Sequence, residues 1–504
     1  MTEQASPASE IAAGYASEGA ALELGAVVID GQVDAAAAVR LPLATLNRHG
    51  LVAGATGTGK TKTLQLISEQ LSAAGVPVVL ADVKGDLSGL AAAGEATGKV
   101  TKRAQELGDD WAGTAFPVQF LSLGTGGKGS PIRATITSFG PVLLSKVLGL
   151  NETQESTLGL IFHWADQRGL ALLDTKDLRS VITHLTGDEG KEDLKGIGGV
   201  SAATAGVILR ALSNLEAHGG EDFFGEPELD VHDLMRARDG KGVVTLLELD
   251  NLQAKLALFS TFLMWLLAEL FEELPEEGDL DQPKLVFFFD EAHLLFADAS
   301  KAFLERIEQT VKLIRSKGVG VFFCTQLPTD IPNAVLSQLG ARIQHALRAF
   351  TPDDQAALAK TVKTYPKTKF YELDTALTSL GIGEAVVTVL SERGAPTPVA
   401  WTRLRAPRSK MGSIGAEAVA AAVASSDLHA KYGQTIDRES AYEKLAAKVA
   451  APAPEAAPEP PPAKDEPGFL ESAMKNPAVK SFMRSAASAL GREITRGLFG
   501  NRKR

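Results

Sequence analysis

From Leu51 onward the chain alternates short apolar runs with amphipathic stretches. Leu51-Val52-Ala53-Gly54 is an apolar run that leads into a Gly-rich turn, and the spacing after it predicts a helix from Thr61 to about Ala74. Gly75-Val76-Pro77 breaks the pattern, and Val78–Ala81 reads as a second buried strand ending at Asp82. Strand, turn, helix and strand in that order signal a parallel sheet. Further strands are expected at Val118–Leu121, Val243–Leu249, Leu285–Phe289, Val319–Cys324, Ala341–Leu347 and Glu384–Leu390, with helices over 252–273 and 300–317. Between 140 and 240 the runs LLSKVLGL, STLGLIFHWA, DLRSVITHL and TAGVILRALSNLEAHG show helical spacing between Gly-rich breaks. The fold class is therefore α/β, a mostly parallel sheet interrupted by a helical insertion.

The organisation follows from these shifts. Residues 1–44 are Ala/Gly-rich and weakly patterned, and are expected to form an arm. The sheet-forming core occupies 45–139 and 241–410, on either side of the insertion at 140–240. Residues 411–450 read as a segment of surface helices, and 451–467 (APAPEAAPEPPPAKDEP) as an extended Pro/Ala/Glu linker. The tail, 468–504, carries eight basic residues against two acidic ones, with apolar positions such as Phe469, Leu470, Phe482, Ile494 and Leu498 among them. An amphipathic basic helix of this kind can grip nucleic-acid phosphates, lie peripherally on an anionic membrane, pack on a neighbouring subunit or stay solvated. The number of apolar positions favours packing.

Composition narrows the function classes. With 504 residues, 45% apolar and 22% charged, the chain can build a sizeable core and is not disordered as a whole. A net charge of -11 argues against coating nucleic acid by bulk charge, though not against a local basic channel. Cys324 is the single cysteine, so no internal disulfide forms, and no Cys/His zinc pattern is present. The N-terminus shows no signal-peptide pattern. Leu256–Ala268 is the longest apolar segment, and its thirteen residues fall short of the about 20 that span a bilayer, so a buried helix is expected there and no integral membrane segment. These features point to the cytoplasm.

The strongest chemical signal is Gly54-Ala55-Thr56-Gly57-Thr58-Gly59-Lys60-Thr61, a full G-x-x-x-x-G-K-[ST] motif with a strand before it and a helix after it. Glycines let such a loop curl until its N–H groups point inward at phosphate oxygens, and the following helix adds its N-terminal dipole. Lys60 would reach the β- and γ-phosphates and Thr61 would offer its hydroxyl to Mg²⁺. The candidate nucleotide contacts are residues 54–61 together with Thr63, and the cofactors are ATP and Mg²⁺. A second Gly-rich run, Gly124–Gly129, lacks the motif and reads as a mobile loop.

A second signal is Leu285–Phe289 followed by Asp290 and Glu291. Five apolar residues make a strand buried on both faces, ending in paired carboxylates where ligands bind in such sheets. Asp290 would hold the Mg²⁺ hydration shell, and Glu291 would orient and deprotonate the attacking water. Gln326 caps a third apolar strand and is placed to sense a γ-phosphate, or else to stabilise the turn before Pro328. Cys324 reads as an inert core residue. Asp82, Lys84 and Asp86 serve equally as magnesium's outer shell or as a turn, and His293 reads as a packed helix residue.

Taken together, the phosphate loop, ADVKGDL, DEAH after an apolar strand, and CTQ followed by ARI resemble the HerA/FtsK branch of RecA-like motor ATPases. The stretches at 130–154, 173–185, 200–216, 223–235 and 491–500 resemble bacterial HerA-like ATPases of the YjgR type. That resemblance implies a RecA-like core, ATP hydrolysis, assembly into a ring (commonly a hexamer) and translocation of DNA or another polymer. It also implies an arginine supplied by the neighbouring subunit. Arg342 matches that position, with Arg348 and Arg315 as alternatives. The 44 residues ahead of the core are fewer than the N-terminal β-barrel of HerA proper requires. A DNA motor is the function expected, against an ATP-dependent assembly switch with slow hydrolysis. A metabolic kinase fits poorly, because no substrate lid is found.

Overall fold

A computed structural model of the chain describes residues 6–450 except 83–84, 195–197, 218, 249–255, 279 and 297–300. Its strands, in chain order, are β1 (Ala21–Ile29), β2 (Gln32–Pro42), β3 (Gly50–Ala53), β4 (Val78–Asp82), β5 (Val118–Leu123), β6 (Ser130–Ile132), β7 (Ala237–Arg238), β8 (Lys241–Gly242), β9 (Val244–Glu248), β10 (Leu285–Phe289), β11 (Val319–Thr325), β12 (Ala341–Gln344), β13 (Glu384–Thr388) and β14 (Ala400–Leu404). Twelve of them form one sheet in the order β2-β1-β14-β13-β12-β3-β11-β10-β4-β9-β5-β6, while β7 and β8 make a separate small hairpin. The run from β12 to β6 is parallel throughout. From β12 outward through β13, β14, β1 and β2 the pairing is antiparallel.

The central strands are apolar at nearly every position because both faces of the sheet are covered. In β10, Leu285, Phe287 and Phe289 enter one core and Val286 and Phe288 the other, as a period of two requires. The first core is built from the insertion helices Ile136–Leu148, Glu152–Gln167, Thr175–Thr186 and Ala202–Ala217, with Leu256–Glu273 beneath them. Polar caps set the starts of two of these helices: Asn151 pairs with Gln154, and Asp174 with Asp177, each as a reciprocal capping box. The second core packs the helix Lys60–Ala73, through Leu64, Ile67 and Leu71, against the opposite face. Leu256–Glu273 is buried through the run Phe262–Leu267, and no helix among the described residues is long and apolar enough to cross a membrane.

Two segments differ from the sequence expectation. Residues 6–44 are not a loose arm: after the helix Pro7–Ala13, β1 and β2 form a hairpin that joins the sheet through β14, with Gly25 opposite Leu404. The Tyr15 hydroxyl locks this segment down, its single proton shared between the carbonyls of Val387 (2.8 Å) and Pro398 (2.6 Å). Ala-rich β2 has little apolar signature because it lies at the sheet's edge. The helices at 416–424, 427–432 and 441–450 are not purely superficial either, since Leu428, Tyr432, Ala441 and Leu445 enter the first core. The linker at 451–467 and the tail at 468–504 lie outside the described residues.

One buried histidine ties the phosphate-loop strand to its neighbours. His49, just before β3 and 2% exposed, donates from Nε2 to the Val311 carbonyl (2.7 Å) and accepts at Nδ1 from the Val321 N–H (3.1 Å). Only the neutral imidazole satisfies both bonds. Burial is the main cause that presses its pKa from 6.5 down to about 4, with the charge of Arg315 acting the same way and the Val311 bond opposing both. The unfolded chain therefore binds a proton near pH 6.5 that the folded chain refuses until about pH 4. Stability from this group is complete above pH 6.5 and drains as pH falls through that window, by on the order of 3 kcal/mol. In chemical denaturation between pH 6.5 and 4, His49→Gln should lower stability at neutral pH and lose one proton's worth of slope. A variant with the wild-type slope would contradict this account.

Candidate functional site

β3 ends at Ala53 and the helix begins at Lys60, so residues 54–59 must reverse the chain within six residues. Gly54, Gly57 and Gly59 do so at positive φ (151°, 81° and 118°). A Cβ on Gly54 would stand 2.5 Å from the Cβ of His345, so that position is closed to side chains on two counts. Neighbouring strand ends grip the loop through backbone bonds. Gly54 N–H donates to the Thr325 carbonyl (3.2 Å), Ala55 N–H to Ala346 (2.9 Å) and Gly383 N–H to Thr58 (3.1 Å). Lys60 curls back over the loop, donating from Nζ to the carbonyls of Gly54 and Ala55. The result is a preformed concave backbone with a cation at its mouth and a helix N-terminus at its base, an arrangement suited to an anionic ligand.

Thr61 is half-buried at the start of the helix. Thr63, also expected to touch nucleotide, is 2% exposed, and its hydroxyl is 2.8 Å from His345 Nε2. Its side chain is thus engaged inside the protein. His345 went unremarked in the sequence. It follows β12, is fully buried, and sits behind the loop with its N–H bonded to the Ala53 carbonyl (2.7 Å). Burial first, and the charge of Lys60 second, lower its pKa to about 4, so the loop rests on a neutral ring. In the sequence His345 follows Arg342 and Gln344 in a mixed polar and apolar run, which does not by itself indicate a partner.

Asp290 and Glu291 follow β10, both half-buried, with Glu291 held at φ 50°. The Glu291 N–H donates to Asp290 Oδ1 (2.9 Å), and the Ala292 N–H ties this turn to the Cys324 carbonyl on β11 (2.8 Å). His293 is not packed inside. Its side chain is 39% exposed, and Nδ1 lies 3.6 Å from Glu291 Oε2. β11 runs between β3 and β10, with Thr325 opposite Ala53 and Phe323 opposite Phe289. The loop and the carboxylate pair therefore leave the same edge of the sheet, separated by one strand. Cys324 registers both: its buried thiol is held well above the ordinary range first by desolvation, then by Asp290, against Lys60, with Glu291 adding to the rise. Gln326, next along, is exposed at that edge, and Thr325 Oγ1 donates to Asp330 Oδ2 (2.6 Å).

Two strands further on, Asp82 ends β4 at 3% exposure and accepts the N–H groups of Leu87 (2.9 Å) and Asp86 (3.2 Å), which is the geometry of a turn. Lys84 lies outside the described residues. Glu248, opposite Asp82 in the β4–β9 register, was not singled out from sequence. It is 4% exposed, and burial, then the neighbouring Asp82, push its carboxyl up to about 7.

The three arginines considered from sequence are not equivalent. Arg348 stands beside its own phosphate loop, with Nη2 3.4 Å from the Thr56 carbonyl. Arg342 lies at the opposite edge of the sheet, donating to the carbonyls of Thr364 (3.0 Å) and Leu336 (3.4 Å). There it lines a cavity of about 470 Å³ together with Arg48, Lys312 and Arg315, and no carboxylate is among the lining residues. Within one chain Arg342 and Arg315 are thus on the far side from the loop.

No curated protein matches the chain. Among solved structures it is similar to the bacterial conjugative coupling protein TrwB in an unbound form, at 16% identity and a TM-score of 0.50, covering 80% of this chain and 93% of that one. It is likewise similar to the plasmid coupling protein TrwB in complex with a non-hydrolysable GTP analogue, at 16% identity and a TM-score of 0.51, covering 79% and 99%. At these identities the likeness shows the fold, a RecA-like α/β sheet. The family model described as Helicase HerA-like C-terminal matches residues 28–504, nearly the whole sequence, and the chain belongs to that family.

Proposed function

We propose that the chain is a Mg²⁺-dependent ATPase that works as a ring motor on DNA in the cytoplasm. The observation that carries this reading is the convergence of the 54–61 loop and the Asp290–Glu291 pair on one sheet edge, both within electrostatic reach of Cys324. The residues fit the nucleotide, because a curled backbone that no Cβ on Gly54 would permit is what a phosphate chain needs. They also fit the metal. Thr61 and Asp290 are hard oxygen donors of the kind Mg²⁺ takes, and when bound the ion neutralises charge on the β- and γ-phosphates.

The chain's own residues supply the rest. The N–H groups of 57–61 orient the phosphates, with Lys60 balancing their charge. Glu291 holds a water in line with the γ-phosphorus and takes its proton as the new P–O bond forms and the bond to the ADP oxygen breaks. The turn at Asp290 fixes the Glu291 backbone, and His293 stands 3.6 Å from its carboxylate. Gln326, exposed at the same edge, senses whether the γ-phosphate is present. Arg342, with Arg315 as the alternative, acts in trans. The cationic cavity at the far edge supports this, since its cations could meet a neighbour's phosphates in a ring that set the two edges together. The family's helicase description supports DNA as the polymer, and the likeness of 130–154 and 223–235 supports a place with the YjgR-type subgroup.

Lys60→Ala should weaken ATP binding by about tenfold or more, whereas Glu291→Gln should bind ATP normally and lose about 10²–10⁴ in kcat. Calorimetry and a phosphate-release assay separate the two, and duplex DNA should raise wild-type turnover. Hydrolysis indifferent to DNA would leave an assembly switch rather than a motor. For the trans arginine, Arg342→Ala and Lys60→Ala should each be inactive alone yet recover turnover when subunits are mixed. If mixtures stay inactive while single-residue Arg315→Ala mixtures recover, the role belongs to Arg315.

A further inference from the structure

The two most exposed large apolar side chains among the described residues are Phe350 (83%) and Ile382 (75%). Both stand on loops fastened to the phosphate loop. The Gly383 N–H donates to the Thr58 carbonyl, and a Cβ on Gly59 would lie 3.3 Å from Gly383 N, so residues 381–383 run directly along the flank of 58–59. Arg348, two residues before Phe350, also reaches the loop, at the Thr56 carbonyl. Neither loop is slack. Arg103 clamps the first, donating to the carbonyls of Gly383 (2.9 Å), Leu404 (3.0 Å) and Ile382 (3.1 Å), while the Gly381 N–H donates to Glu384 Oε2 (2.9 Å). In the second, the N–H groups of Phe350 and Thr351 both donate to Asp354 Oδ2 (3.1 and 2.9 Å). Large apolar groups held in place beside a phosphate-binding loop offer area that a bound ligand can cover favourably.

We propose that Ile382 and Phe350 are apolar walls that receive the nucleobase of a nucleotide whose phosphates lie in the 54–61 loop, a proposal that rests on the nucleotide reading above. Phosphates drawn to the N–H groups at the helix start leave the ribose and base to exit along the loop's flank. There a flat heteroaromatic base finds side chains with apolar faces and no hydrogen-bonding group. The Ile382 and Gly383 carbonyls are already bonded to Arg103. Walls of this kind grip a purine by its face and do not read its edge, so ATP and GTP should bind with similar affinity.

The test is calorimetric titration of the full chain with ATP, GTP and inorganic tripolyphosphate, for wild type, Ile382→Ala, Phe350→Ala and Lys60→Ala. Each wall variant should bind ATP and GTP about fivefold to thirtyfold more weakly, while its tripolyphosphate affinity stays at the wild-type value. That unchanged affinity also certifies an intact loop. Wild-type ATP affinity in both wall variants overturns the proposal, as does a parallel loss of tripolyphosphate, which would make the walls structural. A Lys60→Ala variant that binds ATP and tripolyphosphate as wild type does would instead overturn the nucleotide reading beneath it.

Discussion

The parallel register of β3, β11 and β10 is the constraint on which the rest depends. Because Ala53 faces Thr325 and Phe289 faces Phe323, β3 and β11 end level and β10 ends two residues short of them at the same edge, so that whatever follows each emerges side by side. Two backbone bonds then fix what emerges. Gly54 N–H to Thr325 curls the loop inward, and Ala292 N–H to Cys324 folds the Asp290–Glu291 turn onto the same strand. β11 is thus the shared ruler. A slip of one residue in its pairing would reverse which side chains enter each core and would move the loop away from the carboxylates.

Such a register is secured by burial rather than by the site itself. Along β10 and β11 every position is buried, and the two cores take alternate residues. The helical insertion supplies one cover and the loop's own helix the other, so the phosphate loop is continuous with an element that packs Leu64, Ile67 and Leu71 beneath the sheet. The polar residues near the loop are spent holding it. Glu69, on the same helix, accepts from the N–H groups of Arg408 (2.7 Å) and Ser409 (3.0 Å), binding the 408–410 strap across the helix. Its burial is offset by those donors, and desolvation still lifts its carboxyl to about 7.

What was legible in the sequence shares one property: it was local. The Gly54–Thr61 motif and the apolar run ending in Asp290 each announce themselves within eight residues, and β10 matches its predicted bounds. What was not legible depends on partners far along the chain. The hairpin of β1 and β2 reads as an arm because its pairing with β14 spans almost the entire core, and small residues such as Ala35–Ala38 carry no strong period. His345 and Glu248 are polar residues at strand ends with no local motif around them. Their weight comes from what folding places opposite them: Thr63 for one and Asp82 for the other. The direction of Thr63 was hidden for the same reason, since a helix's fourth residue faces either ligand or core depending on what packs behind it.

The sheet's two edges differ in charge: at one, carboxylates share the ground with Lys60 and Arg348, while the charged side chains of the cavity at the other are all cations. At the C-terminal ends of the parallel strands stand Asp82, Glu248, Asp290 and Glu291, and at the other edge Arg48, Lys312, Arg315 and Arg342 share one cavity. On the ring reading proposed above, this difference would favour head-to-tail contact, with the cations of one copy drawn to the carboxylates of the next. Head-to-tail contacts close into rings when the rotation per subunit divides a full turn. In such a ring a cationic cavity would face a phosphate-binding edge, and a nucleotide's charge would strengthen a junction that hydrolysis would weaken. Coupling of that kind needs no separate switch element: the ligand's own phosphates would be the adjustable part of the interface.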